Sequence, residues 1–197
     1  ASRLLLRSDR SYRVRPIAGG FALRNARQRL DARLGVDGVE VRSGGAVLGL
    51  RLSSYGYGEA LHDVGVVAPQ ADANRIVYRR GGLTEWYANE AGGLEQSFTL
   101  AAPPAAPTSE PLTLALVVTG DVRGRLSRRQ DGAIFKGAGR SLVYRGLLAI
   151  DARGETLPAR IELYGRRLLL RIDDRGARYP VRIDPFIQTA STSDPYA

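Results

Sequence analysis

Apolar and polar residues alternate along this chain at a spacing of two, in short runs that stop at Gly, Asp or Asn. Successive side chains of a strand point to opposite faces, so each run describes a strand with one dry and one wet face, and a chain built from such runs describes antiparallel sheets. The pattern predicts strands near 3–7, 11–15, 21–25, 30–35, 38–43, 47–54, 74–80, 83–89, 93–101, 112–119, 123–129, 133–137, 141–151, 157–164, 166–173 and 178–184. Between them VDG at 36–38, SGG at 43–45, QDG at 130–132, ARG at 152–154 and DRG at 174–176 place Gly where a hairpin turn needs positive φ. ALRNARQRLDARL, 22–34, has the residues of a helix, but its apolar positions form no helical stripe, so two strands are expected there.

The prolines of AAPPAAPTSEP, 101–111, exclude a central strand and mark a linker. The expected organisation is an N-terminal strand arm over 1–20, a first sub-sheet over 21–100, the linker, a second sub-sheet over 112–190 and a polar tail over 191–197. The fold class is all-β, an antiparallel β-sandwich of two sub-sheets. Its expected core contains Leu50, Leu52, Val77, Trp86, Phe98, Leu100, Leu114, Leu116, Ile161, Leu163, Leu168, Leu170 and Ile183.

The stretch LTEWYANEAGGLEQSFTL, 83–100, holds the only tryptophan and, ten positions apart, Glu85 and Glu95, the carboxylates to weigh as a catalytic pair. A three-residue loop near Glu90, Ala91 and Gly92 is expected, in a register that sets Trp86 opposite Phe98, with two rings on one face, and Glu85 opposite Thr99 and Glu95 opposite Asn89 on the other. The carboxylates then stand roughly 13 Å apart along the hairpin, beyond the roughly 5–9.5 Å of a glycosidase acid pair. A packed hairpin is expected here, with no catalytic cleft.

Composition removes further chemistries. There is no Cys, hence no disulfide or thiolate metal site, and His62, next to Asp63 in a loop-like stretch, is the sole imidazole. No GxSxG elbow, calcium loop or phosphate cradle accompanies it. Neither a cofactor nor a catalytic residue is expected. The net charge is +9, with Lys136 the only lysine, and Arg13, Arg15, Arg51, Arg79, Arg171, Arg178 and Arg182 fall at alternate positions of strand-like runs, as on the solvated face of a sheet. Nucleic-acid binding needs such charges to converge beside aromatic platforms, so no nucleic-acid partner is expected. The longest convincing apolar run, LTLALVV at 112–118, is far short of the roughly 18 residues of a membrane span.

Two terminal segments suggest assembly. Leu4, Leu5 and Leu6, followed by Tyr12 and Val14 in alternation with arginines, form an apolar strand suited to pairing with the edge of a neighbouring subunit, and Phe186 and Ile187 open a second such segment. NRIVYRRGGLTEWYANEAGGLEQSFTLAAPP (74–104), GLLAIDARGETLPARIEL (146–163) and RLLLRIDDRGARYPVRIDPFIQ (167–188) resemble the β-rich domain of unknown function that precedes FG-GAP, integrin-α-like β-propeller repeats in large secreted bacterial proteins. That resemblance spans roughly residues 15–190 and implies an exported, all-β, non-catalytic module with no active-site residues to transfer. In that family the DPF-like strand leads into propeller repeats that bind calcium, whereas the sequence here runs about a dozen residues past its own DPF strand, through TASTSDPYA, so the resemblance implies no propeller-based adhesion role for it. Taken together, these features lead to the expectation of a non-enzymatic extracellular structural subunit that forms homo-oligomers by strand addition, as a filament or surface layer. The alternative is a cell-surface recognition or adhesion module for a glycan or protein partner, with Tyr55 and Tyr57 of SSYGYGEA as the contacts.

Overall fold

The computed structural model describes residues 14–106 and 108–190. They form an antiparallel β-sandwich without helices. One nine-stranded sheet, A, runs in the order β1 (Val14–Ile17), β2 (Gly20–Asn25), β3 (Leu30–Gly35), β4 (Gly38–Ser43), β5 (Ala46–Tyr57), β11 (Leu112–Gly120), β17 (Arg167–Ile172), β16 (Ala159–Tyr164), with β6 (Ala60–Asp63) beside the far half of β5. The other, B, also nine-stranded, runs β12 (Arg123–Leu126), β13 (Gly132–Lys136), β14 (Ser141–Ile150), β18 (Val181–Thr189), β10 (Gly93–Leu100), β9 (Leu83–Glu90), β8 (Arg75–Arg80), β7 (Gln70–Asp72), with β15 (Thr156–Leu157) beside β14.

The alternation read from the sequence builds the interior. Leu30, Ala32 and Leu34 of β3 and Val39 and Val41 of β4 face the core while Asp31, Arg33, Glu40 and Arg42 face out. Most of the expected core residues lie there too, among them Leu50, Leu52, Phe98, Leu100, Leu114, Leu116, Ile161, Leu168, Leu170 and Ile183. Leu163 is only partly buried against them. Val77 and Trp86 sit instead with Ala88 in a small cluster on the outer face of sheet B.

The division at 101–111 differs from expectation. Each sheet takes strands from both sides of that segment, because the chain crosses between sheets several times; 101–111 is one crossover, from β10 to β11. The stretch 61–74, expected as a loop, contributes parts of the short strands β6 and β7, whose exposed residues carry no apolar alternation to betray them. Residues 22–34 are two strands, as expected.

The 83–100 hairpin is tighter than predicted. Glu90 pairs with Gly93 across a two-residue turn of Ala91 and Gly92, which slides the register by one. Trp86 therefore faces Ser97, Phe98 faces Glu85, and Glu95 faces Ala88. Because one residue of slip changes which side chains meet, the two rings occupy opposite faces of the sheet, and so do the two carboxylates. Arg75 covers the Trp86 ring on the outer face, its Cζ 3.9 Å from the ring centre. Glu85 lies inside.

A polar network surrounds Glu85 in that interior. Its carboxylate accepts from Arg80 Nη1 (2.8 Å), Tyr87 Oη (2.7 Å) and Gln96 Nε2 (2.9 Å), and Tyr144 Oη donates to Gln96 Oε1 (2.8 Å). Burial, seconded by the Glu85 charge, pushes the Tyr87 and Tyr144 hydroxyls well above their ordinary range, so both remain proton donors. Just past the end of β14 Asp151 fastens two loops by accepting from the backbone N–H groups of Arg153, Glu155 and Arg178. The Arg178 N–H contributes most to lowering the Asp151 carboxyl to about 2, against the opposing effect of burial.

Candidate functional site: a basic cleft at one end of the sandwich

Several of the expected contact residues prove structural. Opposite β11, β5 carries one extra residue: Ser54 pairs with Ala115 but Leu52 with Leu116, which leaves Ser53 as a bulge. Before it the even-numbered residues of β5 face the core; after it the odd ones do, so Tyr55 and Tyr57 turn inward with Leu114 and Leu112. Tyr57 is buried and donates from its hydroxyl to Asp174 Oδ2 at 2.9 Å, and Tyr55 packs against the core. They are not the exposed rings of a sugar platform. His62 is exposed on β6, paired with Tyr55.

The strand-addition residues divide similarly. Leu4, Leu5, Leu6 and Tyr12 lie outside the described residues, whereas Val14 pairs with Leu23 in its own sheet. Ile187 is in the chain's own core and Phe186 is on the outer face of β18, which is hydrogen-bonded on one side to β14 and on the other to β10. An interior strand of this kind has no free edge to donate, so this pair is corrected to a structural role. The outer strands offer little as templates: β1 is four residues long and carries Arg15 and Pro16, β7 is three residues long, and the Ile161 N–H of β16 already donates to Gln130 O (2.7 Å).

Chemistry gathers instead where three turns and a strand end meet. The β2–β3 turn (26–29), the β9–β10 turn, the β13–β14 turn and the end of β18 enclose a cleft of about 630 Å³ lined by Arg27, Gln28, Ala91, Gly92, Arg140, Arg145, Gln188, Thr189 and Ala190. Its frame is stapled across the two sheets. Asn25 Nδ2 donates to Asn89 Oδ1 (2.9 Å) and Glu90 O (2.7 Å), and Asn89 Nδ2 donates back to Arg24 O (2.9 Å). Thr189 Oγ1 donates to Gln28 O (2.9 Å), tying the end of β18 to the same turn.

Small residues make room for the long side chains. A Cβ on Gly44 would lie 3.0 Å from Arg140 Cγ, and one on Gly93 would lie 2.8 Å from Gln188 Cγ, so both stems rest on bare backbone. Arg145 Nε donates to Gln188 Oε1 at 2.7 Å, which leaves Gln188 Nε2 to face outward as a donor. Gln28 Oε1 is likewise engaged by Thr189, leaving its Nε2. Among the described residues Arg27 and Arg140 form no ion pair, and no carboxylate lines the cleft. Guanidinium forks and amide N–H groups directed at one hollow are a set of donors awaiting an acceptor.

Sequence reasoning missed this site because its residues are far apart in the chain, at 27–28, 140–145 and 188–190. The local signal was an arginine placed in each of two turns, RNARQ at 24–28 and GAGR at 137–140. In comparisons with known proteins, no family model, no curated protein and no solved structure matches the chain.

Proposed function

We propose that the chain is a non-enzymatic recognition module of the cell exterior and that its end cleft holds the acidic group of a saccharide. The observation that carries this reading is the donor set of the cleft, two arginines without ion pairs beside two glutamine amides with no carboxylate in the lining. Guanidinium groups match a carboxylate or sulfate in two-point geometry, and the amides suit the hydroxyls that flank such a group on a sugar ring. A cleft of about 630 Å³ is the size of an ordinary small-ligand pocket. The exterior location rests on the likeness of 74–104, 146–163 and 167–188 to the exported domain that precedes FG-GAP repeats. Self-association through a donated strand rests on residues 3–15, of which only Val14 and Arg15 are described, both paired at home.

Calorimetric titration with galacturonate tests the proposal. The native chain is expected to bind it, and more weakly as salt is raised. Arg27→Ala and Arg140→Ala should each weaken binding by about 1.5–3 kcal/mol, the worth of a hydrogen bond to a charged group. Equal affinity for neutral galactose, or no effect of either substitution, would overturn it.

A further inference from the structure

Arginine recurs every nine residues at positions 15, 24, 33 and 42, one on each of the consecutive strands β1 to β4. The hairpin register converts that spacing into a pattern on the outer face of sheet A. In one cross-strand row Arg15 pairs with Ala22, Ala22 with Arg33, and Arg33 with Glu40. In the adjacent row Arg24 pairs with Asp31, and Asp31 with Arg42.

The rows differ in how far their charges are satisfied. Arg24 lies 3.9 Å from Asp31, and Arg42 donates from Nε to Glu40 at 2.8 Å. Arg15 and Arg33, both exposed, form no ion pair among the described residues. They flank Ala22, a methyl group between two long side chains, and the three line a hollow of about 380 Å³ together with Arg24, Asp31, Glu40 and Arg42, whose two carboxylates are the ones engaged by Arg24 and Arg42. With strands about 4.8 Å apart, the two guanidinium stems start roughly 10 Å from each other and can close over Ala22 from both sides.

The same β2–β3 hairpin carries this hollow and the end cleft. Arg27 and Gln28 are in its turn, and Ala22 and Arg33 pair three residues beyond its last pair, Asn25 and Leu30, which is roughly 10 Å along the strands. We propose that Arg15 and Arg33 clamp a second anionic group of the ligand held in the end cleft, so that the ligand is an acidic oligosaccharide running from the end of the sandwich onto sheet A. This rests on the cleft reading. Among the described residues no aromatic ring lines either hollow, which disfavours a single-stranded nucleic acid, whose bases need platforms to stack on. Linking two weak sites through one ligand raises affinity steeply with ligand length once the span is reached.

Titration of galacturonate and of its tetramer, with the native chain, an Arg15→Ala/Arg33→Ala variant and Arg140→Ala, separates the two sites; oligomeric dextran sulfate in parallel distinguishes a sulfated source from a carboxylated one. The native chain is expected to bind tetramer at least tenfold tighter than monomer. The double variant should lose that gain while keeping its monomer affinity, and Arg140→Ala should weaken both ligands. A length gain that survives the double variant, or is missing from the native chain, overturns the clamp and leaves the cleft standing. Failure of the monomer to bind the native chain overturns the cleft reading and the clamp with it. Oligo-deoxythymidylate binding as tightly as either acidic oligosaccharide would overturn the saccharide assignment.

Discussion

Glu85 is a carboxylate inside an apolar sandwich, its side chain 2% exposed and that of its partner Arg80 6% exposed. Two buried charges persist together because each supplies what the other lost in leaving water, and the Tyr87 and Gln96 donors fill the remaining lone pairs of the carboxylate. Arg80 Nε is buried without a hydrogen-bond partner, and the guanidinium lies 5.0 Å from the centre of the Tyr78 ring. Removing the carboxylate strands the cation. Glu85→Ala is therefore expected to destabilise the fold by about 3–5 kcal/mol, as for other broken buried pairs. Equilibrium urea unfolding measures it, and a loss below about 1 kcal/mol, the scale of an exposed pair, would contradict the role assigned to Glu85.

Among the elements, the β9–β10 hairpin shows how a turn governs a site. Gly93 follows the two-residue turn with φ of 144°, and a Cβ there would stand 2.4 Å from Ile187 O on β18. Gly93→Ala must push β10 from β18 at the point where Gln188 enters the cleft. A loss of about 1–3 kcal/mol is expected, the usual cost of overpacking, seen as a lower urea midpoint at unchanged slope. An unchanged midpoint would show that the strands separate freely there. The strands themselves were legible in the sequence wherever one face is dry, as in β3 and β4, since alternation records burial directly. What escaped it were single-residue events. The extra residue at Ser53 turned Tyr55 and Tyr57 inward, and the turn one residue shorter than expected moved Trp86 from Phe98 to Ser97. Neither changes composition or period, yet each reverses or shifts the side chains that follow.

At the scale of the molecule, the interleaving of two nine-stranded sheets accounts for both the obscurity of the site and its rigidity. Turns from 26–29, 91–92 and 137–140 are brought to one end only when β2, β9 and β14 have found their sheets, so no local window of sequence holds the cleft. Once assembled, the cleft is framed by the Asn25–Asn89 and Gln28–Thr189 hydrogen bonds, and the side-chain amides of Gln28 and Gln188 are held in place by Thr189 and Arg145. Preorganised amides of this kind lower the ordering cost of binding. The most direct measurement is a nuclear magnetic resonance titration that follows the Gln28 and Gln188 side-chain amides and the Arg27 and Arg140 Nε–H groups as galacturonate is added. Saturable shifts confined to these groups and their turns are the predicted result. Unmoved signals at all four, or shifts that neutral galactose reproduces, would contradict the account.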